Sequence, residues 1–182
     1  MPNPRKPNTP HNSNNPHNTH IHYDRAAGTI LLDVHPSLIQ APASVAAYAK
    51  ANGMIAKPEY HITLIGSQIG SKLVERCKTR PSHWKNLAQF CDNMPWNFTL
   101  LDSYYALKKT YETETRKSII QEARLPSIAT LTEFLQENMG IPMPSPFSHV
   151  TLYSASTNPA KMSRGIAVYS RADLDAIATK IR

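Results

Sequence analysis

Tyr60-His61-Ile62-Thr63-Leu64 and Ser148-His149-Val150-Thr151-Leu152 are two versions of one pattern: His, a β-branched apolar residue, Thr, Leu. Apolar and polar residues alternating in this way predict a half-buried strand, because successive side chains on a strand point to opposite faces. His61 and Thr63 then share one face, with Ile62 and Leu64 on the other. His149 and Thr151 separate in the same way from Val150 and Leu152. One face enters a core, and the other presents an imidazole beside a hydroxyl. If the two strands face each other, one cleft gains two imidazoles and two hydroxyls.

Outward from the first motif, Thr29–Val34 is an apolar run between Gly28 and Pro36 and predicts a strand. The Ala-rich run over residues 42–52, closed by Gly53, predicts a helix. Residues 59–65 form the first motif's strand. Residues 71–92 have a helical pattern that Pro81 divides in two. Residues 96–107 and 114–124 predict a long hairpin turning near Thr110, and residues 126–138, ended by Gly140, an amphipathic helix. The second motif's strand is expected over 147–154 and a short strand over 165–169. A last helix is expected over 171–181, with Leu174, Ile177 and Ile181 on one face. Helices and strands mix without strict alternation, which favours α+β over a doubly wound sheet.

The chain has 182 residues, 41% of them hydrophobic, enough for one packed domain. Its net charge of +7 and pI near 9.5 favour polyanions such as RNA or nucleotides. The basic residues are scattered, however, as on an ordinary solvated face. Cys77 and Cys91 form no CxxC pair and read as reduced, structural thiols. The sequence lacks a membrane-length apolar run and a leader pattern at its start, so a soluble cytoplasmic protein is expected. Residues 1–22 hold six Asn, five Pro and four of the eight His. That composition predicts a disordered tail reaching to about residue 24, with a single domain over 25–182. His20 and His22 form an HxH pair that the sequence alone does not complete into a metal site.

The motif residues suit phosphoester chemistry. An imidazole titrates near pH 6.5, so one can take a proton from water or a ribose hydroxyl while the other protonates the leaving oxygen. Hydroxyl donors hold the non-bridging phosphate oxygens as charge develops on them. The scheme needs no metal, and no carboxylate cluster or HExxH-like helix is legible to hold one. A single His-x-Thr is a weak signal, since such a His is usually structural. Two strand-placed copies, each followed by Leu, are specific.

These paired tetrads resemble the signature of the two-histidine (2H) phosphoesterases. That family includes 2′-5′ RNA ligase-like proteins, tRNA-splicing cyclic phosphodiesterases and viral enzymes that degrade nucleotide signals. The resemblance covers residues 29–182 in layout and is specific in the two tetrads. It implies a bilobal α+β fold of two antiparallel sheets with flanking helices, each lobe supplying one motif strand to a central cleft. It also implies catalysis by His61, His149, Thr63 and Thr151 with no cofactor and no metal. The activity implied is hydrolysis of 2′,3′-cyclic phosphate or 2′-5′ phosphodiester bonds in RNA ends or small nucleotides. Hydrolysis of cyclic oligonucleotide immune signals stays open, as does an RNA-binding module without chemistry. Oligomeric state is not legible, and a monomer is the default.

Further candidates come from position. Tyr104 and Tyr105 are neighbours on a strand, so one faces the cleft side, where an aromatic ring can stack on a base or equally pack in a core. Arg116 and Lys117 start a strand, where one of them can reach phosphate, although a surface pair is the stronger reading, and Lys57 can draw anions toward the cleft. Tyr153 follows the second motif as Tyr60 precedes the first, and core packing is the stronger reading of both. Trp84 and Trp96 are expected to pack.

Overall fold

The computed structural model describes residues 20–144 and 146–181. Along the chain run β1 (Ile21–Asp24), β2 (Thr29–Val34), α1 (Ala43–Ala51), β3 (Ile55–Ala56), β4 (Tyr60–Ile65), α2 (Ser67–Thr79) and α3 (Ser82–Asn93). They continue with β5 (Thr99–Thr110), β6 (Thr115–Arg124), α4 (Ile128–Met139), β7 (His149–Ser156), α5 (Arg171–Ile177) and β8 (Ala178–Ile181). All eight strands join one antiparallel sheet in the order β1-β2-β4-β7-β6-β5-β8, with β3 also paired to β7. The fold is therefore α+β. The two separate sheets expected from the sequence are replaced by one, whose halves meet where β4 pairs with β7 at Ile62 and Val150.

Alternation sets the layers. Ile30, Leu32 and Val34 of β2 are buried, while the residues between them are not. They join Ile62, Leu64, Ile119, Val150 and Leu152 in a main core. Helices α1 to α4 cover that core, burying Val45, Leu73, Leu87 and Leu135 among others. Each such side chain contributes on the order of 1.5–3 kcal/mol on burial. A smaller core on the opposite face gathers Tyr105, Leu107, Ile120, Ile166, Val168 and Leu174 under α5. Gly28 has φ 68, and a Cβ there would lie 2.2 Å from the Gly70 carbonyl oxygen. That close approach seats α2 against the β1–β2 turn. Gly140, at φ 63, ends α4 in the left-handed conformation expected of a helix stop.

Several expectations need correction. Residues 20–24, assigned to the tail, are ordered: Ile21 and Tyr23 alternate with His22 and Asp24, pack against the main core and make an edge strand. The rest of the expected tail, residues 1–19, lies outside the described residues. Residues 165–169 form no strand, because Ile166 and Val168 bury themselves across the sheet's second face instead of along an edge. The last helix stops at Ile177, where residues 178–181 pair with the free edge of β5, Ile181 opposite Tyr104. Tertiary pairing there overrides the helical period.

Near the β5–β6 turn, Glu114 is buried among Arg116, Ser156 and Lys161. The Arg116 hydrogen bond, followed by that from Ser156, brings its carboxyl down to about 2. Among the described residues, no helix is long and apolar enough to cross a membrane.

Candidate active site

The two motifs meet on the sheet face away from the main core. Ile62 and Val150 are Cα partners and both fully buried. One residue to either side, on the opposite face, come His61 with Thr151 and Thr63 with His149. All four are half-buried and line one cavity of about 320 Å³. Its wall also includes Lys57, the α2 start over residues 66–69, Phe147 and the crossing segment 165–169.

The two halves repeat each other in register as well as in sequence. In β2–β4, Asp33 pairs with His61, Leu32 with Ile62 and Leu31 with Thr63. In β6–β7, Glu122 pairs with His149, Gln121 with Val150 and Ile120 with Thr151. Each ladder then slips. Ile30 pairs with Ile65, passing over Leu64, and Ile119 pairs with Tyr153, passing over Leu152. The Leu of each tetrad is thus a β-bulge, a device that sharpens twist and re-aims neighbouring side chains. The bulges explain why Leu64 and Ile65 are both buried in succession, and why Tyr153 follows Leu152 against the main core.

The two imidazoles differ in surroundings. His149 Nδ1 lies 3.0 Å from the Phe147 carbonyl oxygen. A carbonyl only accepts, so Nδ1 carries the proton and neutral His149 keeps its Nε2 lone pair. The Phe147 ring stacks on His149 at 5.7 Å and 21°. The Arg171 guanidinium lies 5.5 Å from the centre of the Phe147 ring and 5.6 Å from that of Tyr105. Burial lowers the His149 pKa, opposed by the Phe147 hydrogen bond, and a charge on His61 lowers it further. Burial also lowers that of His61, with Lys57 adding to the effect and Asp33 and Glu59 opposing it. The pair cannot comfortably hold two protons at once, which is the condition for dividing acid and base roles.

Lys57 donates from Nζ to the Ser163 carbonyl at 2.6 Å, and burial lowers its pKa against the opposing charge of Glu59. The α2 N-cap is Gly66, which has no side chain to cap the first N–H groups of the helix, and residues 66–69 line the cavity. Across the mouth, Ser67 Oγ and Tyr169 Oη stand 3.3 Å apart. A Cβ on Gly66 would meet Tyr169 Cε1 at 3.2 Å, and one on Gly165 would meet Thr151 Oγ1 at 3.4 Å. Small residues thus keep the floor clear beside both threonines.

The other candidates lie elsewhere. Tyr104 is buried in the main core, where its hydroxyl accepts from Gln121. Tyr105 faces the cavity side of the sheet but is covered by the second core, and its hydroxyl donates to Glu122. Arg116 pairs with Glu114 at the far end of β6, and Tyr153 packs in the main core. None of the four lines the cavity. Trp84 and Trp96 pack as expected. Ser67, Phe147 and Tyr169 also line the cavity and carry no motif in the sequence. The Gly66-Ser67 pair directly after a strand was the available signal for a helix starting there. Burial and then Asp92 push the Cys91 thiol up to about 12, which leaves it inert as a nucleophile. No protein-family model, curated protein or solved structure matches the chain.

Proposed function

We propose that this protein is a metal-independent phosphodiesterase of the two-histidine kind, acting on 2′,3′-cyclic phosphate or 2′-5′ linkages at RNA ends or in small nucleotides. One observation carries the reading: both tetrads, paired through Ile62 and Val150, turn two imidazoles and two hydroxyls into a single cavity. The halves of the sheet on either side of that pair act as two lobes, each supplying one motif. His149, with its Nδ1 proton held by Phe147, is the base: Nε2 takes a proton from the attacking water, whose oxygen forms the new bond to phosphorus. His61, protonated, gives its proton to the ribose oxygen as the P–O bond breaks. Thr63, Thr151 and the open α2 N-terminus hold the non-bridging oxygens. An entering phosphate favours the charged form of His61 that burial opposes in the free protein.

The cavity is at the lower end of the roughly 300–1,000 Å³ range of small-molecule sites. That size suits one nucleotide unit and favours a cyclic phosphate or chain end over a whole cyclic oligonucleotide. The deciding assay offers the purified protein 2′,3′-cyclic mononucleotides, 2′-5′ oligonucleotides and cyclic dinucleotides, all in EDTA. Turnover of one of the first two classes is expected. Inactivity on all three, or activity lost in EDTA and restored by a divalent ion, overturns the proposal.

A further inference from the structure

His20, His22 and Asp33 gather at the outer edge of the sheet. The Asp33 main-chain N–H donates to the His20 carbonyl at 2.9 Å, which holds β1 and β2 in register. His20 and His22 are two residues apart on an extended segment and so share a face. Asp33 reaches that face from the next strand, where the sequence alone gives no sign of it as a third partner. Its carboxylate oxygen lies 3.0 Å from His22 Nε2 and 3.7 Å from His20 Nδ1. One ligand atom from each residue lies within 4.8 Å of the others. Among the described residues, no Lys or Arg pairs with Asp33.

We propose that these three side chains bind one divalent transition-metal ion of the zinc type. A tetrahedral ion with bonds of about 2.1 Å needs ligand atoms about 3.4 Å apart. The two separations from Asp33 bracket that value, and all three side chains are exposed enough to adjust. Two imidazole nitrogens and one carboxylate suit zinc, nickel or copper rather than calcium or magnesium, which take oxygen ligands. A fourth position remains for water. The ion ties edge strand β1 to β2, at the start of the described chain. The ion lies outside the cavity lining and reaches the proposed hydrolysis only through the effect of Asp33 on His61.

The test uses the full chain without a polyhistidine tag. Calorimetric titration with Zn²⁺ and visible absorption with Co²⁺ are compared for wild type, Asp33→Asn and His22→Ala. The expected result is one ion per chain, weakened at least about tenfold by either substitution, with the Co²⁺ ligand-field bands lost. Thermal melts without metal check that both variants stay folded. Undiminished binding in Asp33→Asn overturns the site and assigns the ion to histidines alone, including His11 and His17. Absence of binding in the micromolar range overturns it too. EDTA is expected to lower the melting temperature of zinc-loaded protein without abolishing phosphodiester turnover, so the metal site fails on binding and melting and the hydrolysis fails on turnover of the metal-free protein.

Discussion

Replacing each imidazole with a methyl group should damage catalysis alike and stability unequally. General acid–base catalysis by a positioned side chain is worth roughly 10²–10⁴ in rate, or about 3–5.5 kcal/mol of barrier. His61→Ala and His149→Ala should each lose turnover in that range on the best substrate. The double variant should lose little more than the worse single one, because both groups serve one coupled step. Stability divides them. His149→Ala removes a hydrogen bond to the Phe147 carbonyl, worth about 0.5–1.5 kcal/mol, and a ring stack of similar size. A total of about 1–3 kcal/mol corresponds to roughly 2–12 °C in melting temperature for a chain of this length. Among the described residues the His61 ring has no hydrogen-bond partner, so His61→Ala should melt closer to wild type. Steady-state turnover with EDTA, together with urea unfolding of all four proteins, reads both effects. A folded single variant at wild-type turnover, or single losses that multiply in the double variant, would refute the coupled-pair reasoning.

Three further outcomes are expected. Burial lowers the His149 pKa, so the acid limb of kcat/KM should fall below the ordinary value near 6.5; stability from the same shift is present above pH 6.5 and lost as pH drops toward the folded pKa, so His149→Ala should melt with a shallower pH slope over that window. Deleting residues 1–19 should leave melting and turnover unchanged, whereas deleting 1–24 strips Ile21 and Tyr23 from the core and Tyr23 from Asp92, costing about 3 kcal/mol; equal melting curves for the two truncations would show β1 to be idle. Gly66→Val should push Tyr169 off Ser67 and lower kcat/KM several-fold in a protein that stays folded, and unchanged kinetics would remove this wall from the site.

Period-two alternation made the motif strands legible, and β2 was read to the residue because Gly28 and Pro36 punctuate it. Helix α4 was legible from its apolar stripe and Gly140. Short strands were not. β1 carries only two inward side chains, and its composition is that of the tail before it. β3 has two residues and β8 four, and both owe their form to the edge each completes. For the site, the four motif residues were legible because each repeats its counterpart. Tyr104 turns into the main core, and Tyr105 shows the limit of parity, which says which face a ring takes but not whether a crossing segment covers it. Segment 165–169 does so here. The bulges at Leu64 and Leu152 were also hidden: an extra residue in a strand is visible only against its partner.

The register repeat bears on the choice between an enzyme and a binder. A module that only holds a polyanion gains from cations at its surface, where they stay charged. Here burial works against charge on both imidazoles, and a charge on His61 further disfavours one on His149. In the free protein the pair has little charge to offer a phosphate, and desolvating two rings without that return is a cost to binding. The same arrangement helps proton transfer, which needs one neutral ring and one that gains its proton as the phosphate arrives. The scaffold places the rings symmetrically, but their surroundings differ. His149 is fixed by a carbonyl and a stacked ring, whereas His61 answers to the opposing charges of Lys57 and Asp33. Like positions in unlike environments are what a division of labour between two identical side chains requires.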